Sequence, residues 1–199
     1  MSKKVVAIMG SYRKGGTTDQ VVDAVLGGAG AKGAETLKIY LVDRYIEFCQ
    51  NCRVCTQTPG EERGKCPQDD EMEEILREVE SADAVVLASP VNYYNATAIF
   101  RRFLERLVGA VYWPWGQKAP QPRKKRPTRK AVLVATSAMP GFLIPMTTGT
   151  GKALELAAAS LGAKPVARLW VGLAGGEPQH ELSAGSLRRA QKIGYGLAA

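Results

Sequence analysis

Three stretches of the chain are apolar at every position: Val5-Val6-Ala7-Ile8-Met9, Ala84-Val85-Val86-Leu87-Ala88 and Ala131-Val132-Leu133-Val134-Ala135. Runs this short predict strands buried on both faces, the first ended by Gly10 and the second by Ser89-Pro90. Two other stretches alternate. Leu37, Ile39 and Leu41 are spaced by polar residues, and Val166, Arg168 and Trp170 alternate with Ala167, Leu169 and Val171. Alternation predicts strands with one half-polar face. Helical spacing fills the intervals. Val22, Val25 and Leu26 form a stripe that starts at the capping-box pair Thr17 and Gln20 and is stopped by Gly27-Gly28. Met72, Ile75, Leu76 and Val79 form a second stripe, capped by Asp69 and Asp70. Phe100, Phe103, Leu104 and Leu107 form a third; Leu154, Ala157, Ala158 and Leu161, closed by Gly162, a fourth. Leu187 to Leu197 predicts a terminal helix with a weaker stripe.

Five strands alternating with helices predict an α/β fold with a parallel sheet and helices on both faces. Burial orders the strands. The all-apolar first, third and fourth belong in the centre and the alternating second and fifth at the edges. The doubly wound, flavodoxin-like order 2-1-3-4-5 has those edges, and its ligand crevice lies between strands 1 and 3. The loops after Met9, Ala88 and Ala135 are therefore expected to build a site. The 199 residues fit one domain, 1–199. It carries a cysteine-rich insertion at about 45–68 and a basic, Pro-rich loop at about 113–130.

Hydrophobic residues make up 45% and charged residues 23%, which excludes a disordered, collagen-like or coiled-coil chain. No apolar run approaches the roughly 18 residues of a membrane span. The first apolar stretch is too short for a signal peptide, so a cytoplasmic protein is expected. The net charge of +8 raises the question of nucleic acid. Lys118, Arg123, Lys124, Lys125, Arg126, Arg129 and Lys130 supply most of it with no acid among them. The basicity thus belongs to one Pro-broken loop, expected to be solvated, and nucleic-acid binding is not favoured. Trp113 and Trp115, either side of Pro114, are expected to pack that loop or meet a partner subunit.

After strand 1 comes Gly10-Ser11-Tyr12-Arg13-Lys14-Gly15-Gly16-Thr17-Thr18, entering a helix. A helix start presents free N–H groups and a positive dipole end, which suits a phosphate. Glycines let backbone approach, Ser11, Thr17 and Thr18 carry hydroxyls, and Arg13 adds charge. Two other glycine motifs lack the context such loops need. Gly28-Ala29-Gly30-Ala31-Lys32-Gly33 follows a helix and precedes a strand, so it reads as a helix stop. Gly149-Thr150-Gly151-Lys152 has Met146 and Ala153 where an NTPase loop needs Gly and Ser/Thr. After strand 3, Ser89-Pro90-Val91-Asn92-Tyr93-Tyr94-Asn95-Ala96 offers aromatic faces and carboxamides for a flat heteroaromatic ring.

Together these residues resemble the NADPH-dependent FMN reductase family. Gly-Ser-x-Arg-x-x-Gly-x-Thr, from Gly10 to Thr18, is similar to its FMN phosphate loop. Ser89-Pro90-Val91 with Tyr93, Tyr94 and Asn95, then Phe103-Leu104-Glu105-Arg106, is similar to its isoalloxazine loop and following helix. Thr136-Ser137-Ala138-Met139-Pro140-Gly141 resembles its third flavin loop. The likeness runs from about Val5 to Leu173; Tyr12 stands where proline is common and Asn92 where an aromatic is common. The resemblance implies FMN held at Gly10, Ser11, Arg13, Gly16, Thr17 and Thr18 for the phosphate. Pro90, Val91, Asn92, Tyr93, Asn95, Thr136, Ser137, Ala138 and Gly141 would meet the ring.

Cys49, Cys52, Cys55 and Cys66 lie within 18 residues, which in a cytosolic chain points to metal or redox chemistry. Cys49-x2-Cys52-x2-Cys55 with Cys66-Pro67 resembles the ligand set of the iron–sulfur flavoprotein branch, although ten residues separate Cys55 from Cys66. Three uses stand open: a [4Fe–4S] cluster, reduced structural or redox thiols, and a Cys₄ zinc site. Relatives without a cluster keep similar cysteines before a helix start like Asp69-Asp70-Glu71-Met72. His180, the one histidine, reads as a surface residue. No side chain is assigned an acid or base role. The expectation is a flavoprotein oxidoreductase taking hydride from NAD(P)H through FMN to an acceptor, as a homo-oligomer (dimer or tetramer). The other readings are an electron carrier between partner proteins and a basic nucleic-acid-binding module.

Overall fold

The computed structural model describes residues 2–124, 126–177 and 180–199, so Lys125 of the basic run lies outside the described residues. The elements in chain order are β1 (Lys4–Met9), α1 (Thr17–Ala31), β2 (Glu35–Tyr40), α2 (Met72–Glu80), β3 (Ala84–Asn92) and β4 (Asn95–Ala96). Then follow α3 (Ala98–Arg106), β5 (Val111–Tyr112), β6 (Gln121–Pro122), β7 (Arg129–Thr136), α4 (Ile144–Thr147), α5 (Thr150–Ser160), β8 (Ala163–Val171) and α6 (Ala184–Leu197).

The five long strands form one parallel sheet in the order β2-β1-β3-β7-β8, the expected doubly wound arrangement. Side chains from Val5 to Met9, Ala84 to Ala88 and Ala131 to Ala135 are fully buried because helices cover both faces. One face packs Val6, Ile8, Val85, Leu87 and Leu133 under α2, α3 and α5. The other packs Val5, Ala7, Met9, Val86 and Val134 under α1 and α6. The edge strands β2 and β8 are half exposed, as their alternation predicts. Val166 is the extra residue of a bulge, since Ala131 pairs with Pro165 and Val132 with Ala167.

Three local expectations are corrected. Gly27-Gly28 does not stop α1, which runs on to Ala31, with Gly33 at φ +89° just beyond. A Cβ on Gly28 would strike the Gln191 carbonyl, and one on Gly194 the Val25 carbonyl. These glycines let α1 and α6 lie backbone to backbone, a purpose invisible before the helices meet. Second, Ser89-Pro90 does not end β3. Pro90 pairs with Thr136 through the sheet, and the strand turns at Tyr93-Tyr94 into β4, with Val91 opposite Ala96. Third, Thr17 and Gln20 form no capping box. Gly16 is the N-cap without a side-chain bond, and Gln20 instead bonds the carbonyls of Gly15 and His180 and the amide of Leu182.

Candidate functional site

The loops after β1, β3 and β7 meet at the carboxyl edge of the sheet, tied by short hydroxyl bonds. Thr18 Oγ1 and Thr136 Oγ1 lie 2.7 Å apart, both buried, joining the first loop to the third. Thr97 Oγ1 donates to the Gly10 carbonyl at 2.6 Å, and its amide donates to Ser89 Oγ, joining the first to the second. Thr97 also caps α3 by accepting from the Phe100 amide. Sequence reading missed it, although a Thr three residues before the stripe residue Phe100 is an N-cap signal. Gly10 must be glycine: a Cβ there would press on Phe100 and the Ala88 carbonyl.

In the first loop, Ser11 Oγ donates to the Arg13 carbonyl and accepts from the Arg13 amide, a closed turn. Gly15 sits at φ +75°, and its amide donates to Asp19 Oδ2 at 2.6 Å. Asp19 is almost fully buried, and it also accepts from Lys38 Nζ at 2.7 Å and from the Tyr40 hydroxyl. Burial alone would push its carboxyl up, but Lys38, the Gly15 amide and Tyr40 hold it below its ordinary value. Burial likewise opposes the charge on Lys38, and Asp19 and Asp23 reverse that, holding it well above the usual lysine range. This network ties β2 to the start of α1. Thr17 Oγ1 turns to the His180 carbonyl at 3.4 Å, and the Thr18 hydroxyl bonds that of Thr136. What faces outward is the uncapped start of α1 and the exposed Arg13, which pairs with no acid among the described residues.

In the second loop, Tyr93 and Tyr94 stand at φ +46° and +62°, the two central residues of a tight hairpin. Bulky side chains in that conformation store strain of about 1–3 kcal/mol each. Tyr93 is 96% exposed, so no described neighbour covers the ring. The hairpin rests on α5: the Gly149 amide donates to the Tyr94 carbonyl at 2.8 Å, and a Cβ on Gly149 would crowd the Asn95 carboxamide. That seat is the use of the Gly149-Thr150-Gly151 motif. In the third loop, Ser137 donates its amide to Val171 and accepts from Ala174, while the Met139 carbonyl accepts from Leu173. Gly141 and Gly172 pass so closely that neither tolerates a Cβ. Pro90, Val91, Asn92, Ala138 and Gly141 thus line the same edge as the first loop. An uncapped α1, a free guanidinium and glycine-lined approaches suit a phosphate-bearing flat ligand such as FMN.

The cysteine segment is separate. Cys49, Cys52, Cys55 and Cys66 are all free thiols, Cys55 buried and Cys52 exposed. Burial pushes the Cys55 thiol up, and the nearby Cys66, Cys49 and Cys52 push it further. Among the described residues no three Cys, His, Asp or Glu side chains already stand as a metal-ligand group. The segment is clasped at its ends by Arg106, which donates to the Glu47 carbonyl at 2.8 Å and pairs with Asp70, both side chains 1% exposed. Asp70 also accepts from the Glu47 amide. Within the clasp, Arg53 at φ +60° lies between Trp113 and Trp115, 3.9 and 4.2 Å from their ring centres.

The expected solvated basic loop is also corrected. Arg123 is buried and donates to the carbonyls of Gly109, Gly60 and Cys55. Gly64 fits against Cys55 with no room for a Cβ and bonds Gly109. The ten residues between Cys55 and Cys66 are thus folded around Arg123. Arg129 is buried enough that its pKa is lowered, and it donates to the carbonyls of Ala82, Leu161 and Glu80. Lys118, Lys124 and Arg126 remain exposed.

The model of the NADPH-dependent FMN reductase family matches residues 3–144. An iron–sulfur flavoprotein of Archaeoglobus fulgidus is 35% identical over 154 residues, 77% of this chain and 59% of that protein. The iron–sulfur flavoprotein MJ1083 of Methanocaldococcus jannaschii is 35% identical over 103 residues, 52% of this chain and 51% of that protein. The chain therefore spans between about half and three fifths of the length of these relatives. An NAD(P)H:quinone oxidoreductase from Methanothermobacter marburgensis superposes with a TM-score of 0.68 at 19% identity, covering 100% of this chain and 98% of that one. An azoreductase from Bacillus anthracis superposes with a TM-score of 0.72 at 14% identity, covering 98% and 99%. At such identities these structures speak to the fold alone.

Proposed function

Since the chain belongs to the NADPH-dependent FMN reductase family, we propose that it is an FMN-dependent oxidoreductase that takes electrons from NAD(P)H and passes them to a second acceptor. The observation that carries this reading is the convergence of three loops on one sheet edge, locked by the Thr18–Thr136 and Thr97–Gly10 bonds. Arg13 and the first-turn amides of α1 would hold the phosphate, the only strongly charged part of the ligand. Asp19 and Lys38 fix the Gly15 turn in place before the ligand arrives. Pro90, Val91, Asn92, Tyr93 and Asn95 on one side, and Thr136, Ser137, Ala138 and Gly141 on the other, would flank the ring. When bound, FMN supplies the hydride and electron chemistry. The protein's part is binding, orientation and exclusion of water, and no side chain need act as acid or base.

Tyr93, Tyr94, Phe142, Met146 and Leu173 are exposed at the same edge. They support association of copies as a dimer or tetramer that would cover the ring. No helix is long and apolar enough to cross a membrane among the described residues. The chain, loaded with FMN and desalted, is expected to keep an oxidised-flavin absorbance band that bleaches anaerobically on adding NADPH or NADH. Loss of all flavin on desalting defeats the proposal.

The cysteine segment favours an electron-carrier version of the same reading. Four free thiols, Cys49, Cys52, Cys55 and Cys66, lie in one segment whose ends Arg106 clasps. That donor set fits an anionic [4Fe–4S] cluster held by Cys49, Cys52, Cys55 and Cys66, which would supply one-electron transfer. In this version, flavin-loaded protein stays oxidised with either nicotinamide but is reduced by a low-potential electron donor.

A further inference from the structure

A cavity of about 620 Å³ lies between α2, the end of α5 and the chain that follows α3. None of its lining residues belongs to the loops after β1, β3 and β7. Its apolar wall is aliphatic: Leu76 and Val79 on α2, Leu107 and Val111 after α3, and Leu156 and Leu161 at the end of α5. Among the described residues no Phe, Tyr or Trp lines it. A cavity of this size holds a small molecule. With no aromatic face to stack a flat ring, the wall suits an aliphatic body.

The charges around the cavity leave cations over. Five of its acids are already paired: Asp70 with Arg106, Glu71 and Glu74 with Arg44, and Glu73 and Glu80 with Arg63. Glu61 and Asp69, the other two, are exposed. Arg123, buried, and Arg129, half-buried, also line the cavity. Each gives three N–H groups to three carbonyls and pairs with no acid among the described residues. Glu80 is the acid whose charge acts on Arg129, and its carboxylate bonds Arg63 instead. A guanidinium has five N–H groups, so each keeps two. Carbonyls meet its hydrogen bonds but bring no full countercharge, and a charge withdrawn from water without one is costly. Lys124 adds a further cation, since its side chain and the Arg129 guanidinium both flank Gly162, just past α5.

We propose that this cavity binds an aliphatic carboxylate, its tail against Leu76, Val79 and Leu107 and its head group on Arg129 and Lys124. The site is independent of the flavin reading. Arg129 opens β7, whereas the flavin loops leave the strands at their carboxyl ends, so the two ligands do not compete.

The test is calorimetric titration of the full chain, FMN-loaded and FMN-free, with decanoate below its micelle concentration and with 1-decanol as the neutral match. A single decanoate per chain is expected, bound equally with and without FMN. Loss of the charged head should make 1-decanol about tenfold weaker or more. At about a hundredfold excess over its Kd, decanoate should raise the melting temperature by about 5–10 °C. Arg129→Met should weaken decanoate about tenfold or more. Ala159, exposed at the rim, supplies a pair of variants that spare the fold if Arg129→Met does not. Ala159→Glu brings a repelling charge and should weaken decanoate about tenfold, while Ala159→Gln should change it by no more than about twofold. No saturable decanoate binding, equal binding of 1-decanol, or an unchanged Kd in Ala159→Glu overturns the proposal. Competition by FMN overturns it too, because the tail would then lie at the sheet edge. If copies associate through this face and exclude decanoate, seen in light scattering as a dimer that Ala159→Glu splits, a second copy is the occupant and the proposal falls.

Discussion

The two candidate regions, the sheet-edge loops and the cysteine segment, are held together by opposite means. The sheet-edge loops are joined by hydroxyls and backbone: Thr18 to Thr136, Thr97 to Gly10, Ser137 to Val171. The cysteine segment is joined by guanidiniums reaching carbonyls: Arg106 to Glu47, Arg123 to Cys55, Gly60 and Gly109. The difference follows from what each rests on. The edge loops spring from fully buried strands that already place their ends, so small neutral links suffice. The cysteine segment, between β2 and α2, contributes no strand among the described residues. A loop of that kind needs long, multidentate side chains to satisfy its carbonyls and close its ends.

The contrast breaks most visibly at Arg106. Arg106→Ala leaves Asp70 charged and buried, which is expected to cost about 3–5 kcal/mol, read as a lowered melting temperature. Next comes Arg123. Its removal strips charge-assisted bonds from three carbonyls, an expected loss of about 1.5–3 kcal/mol or more. Lys124→Ala and Arg126→Ala, in the same basic run but exposed, should stay within about 0.5 kcal/mol of wild type. Equal melting temperatures for the Arg123 and Lys124 variants would refute the role given to Arg123.

Arg13 belongs to the other region and should behave in the opposite way. Arg13→Ala is expected to leave the melting temperature unchanged. It should weaken FMN binding about tenfold or more while sparing riboflavin, since a charge-assisted bond is worth about 1.5–3 kcal/mol. Calorimetric titration with both ligands checks it, and equal losses would place Arg13 away from the phosphate.

The smallest effect is a pH slope. Asp19 has its carboxyl held below the ordinary value in the fold. The unfolded chain therefore binds its proton first as pH falls, and the stability Asp19 contributes is full above the ordinary carboxylate range and lost as pH drops through the lowered value. Asp19→Asn should flatten the fall in melting temperature below about pH 4. An unchanged acid profile would mean that Lys38 and Tyr40 do not stabilise the ionised form.

Strand order and the covered faces were legible in the pattern of apolar runs, because burial on two faces demands continuous apolarity and an edge does not. The three loops were legible too, since they follow from where the strands end. The tertiary structure decided what the intervening residues are for. Gly28 looks like a helix breaker until α1 and α6 press together. That Thr18 meets Thr136, 118 positions later, is likewise invisible along the chain. Arg123 looks like one more charge in a solvated run until Cys55, Gly60 and Gly109 converge on it. Periodicity reports how a residue meets water, which is a local property. A hydrogen bond between distant segments depends on which surfaces the fold brings within 3 Å, and no pattern along the chain records that.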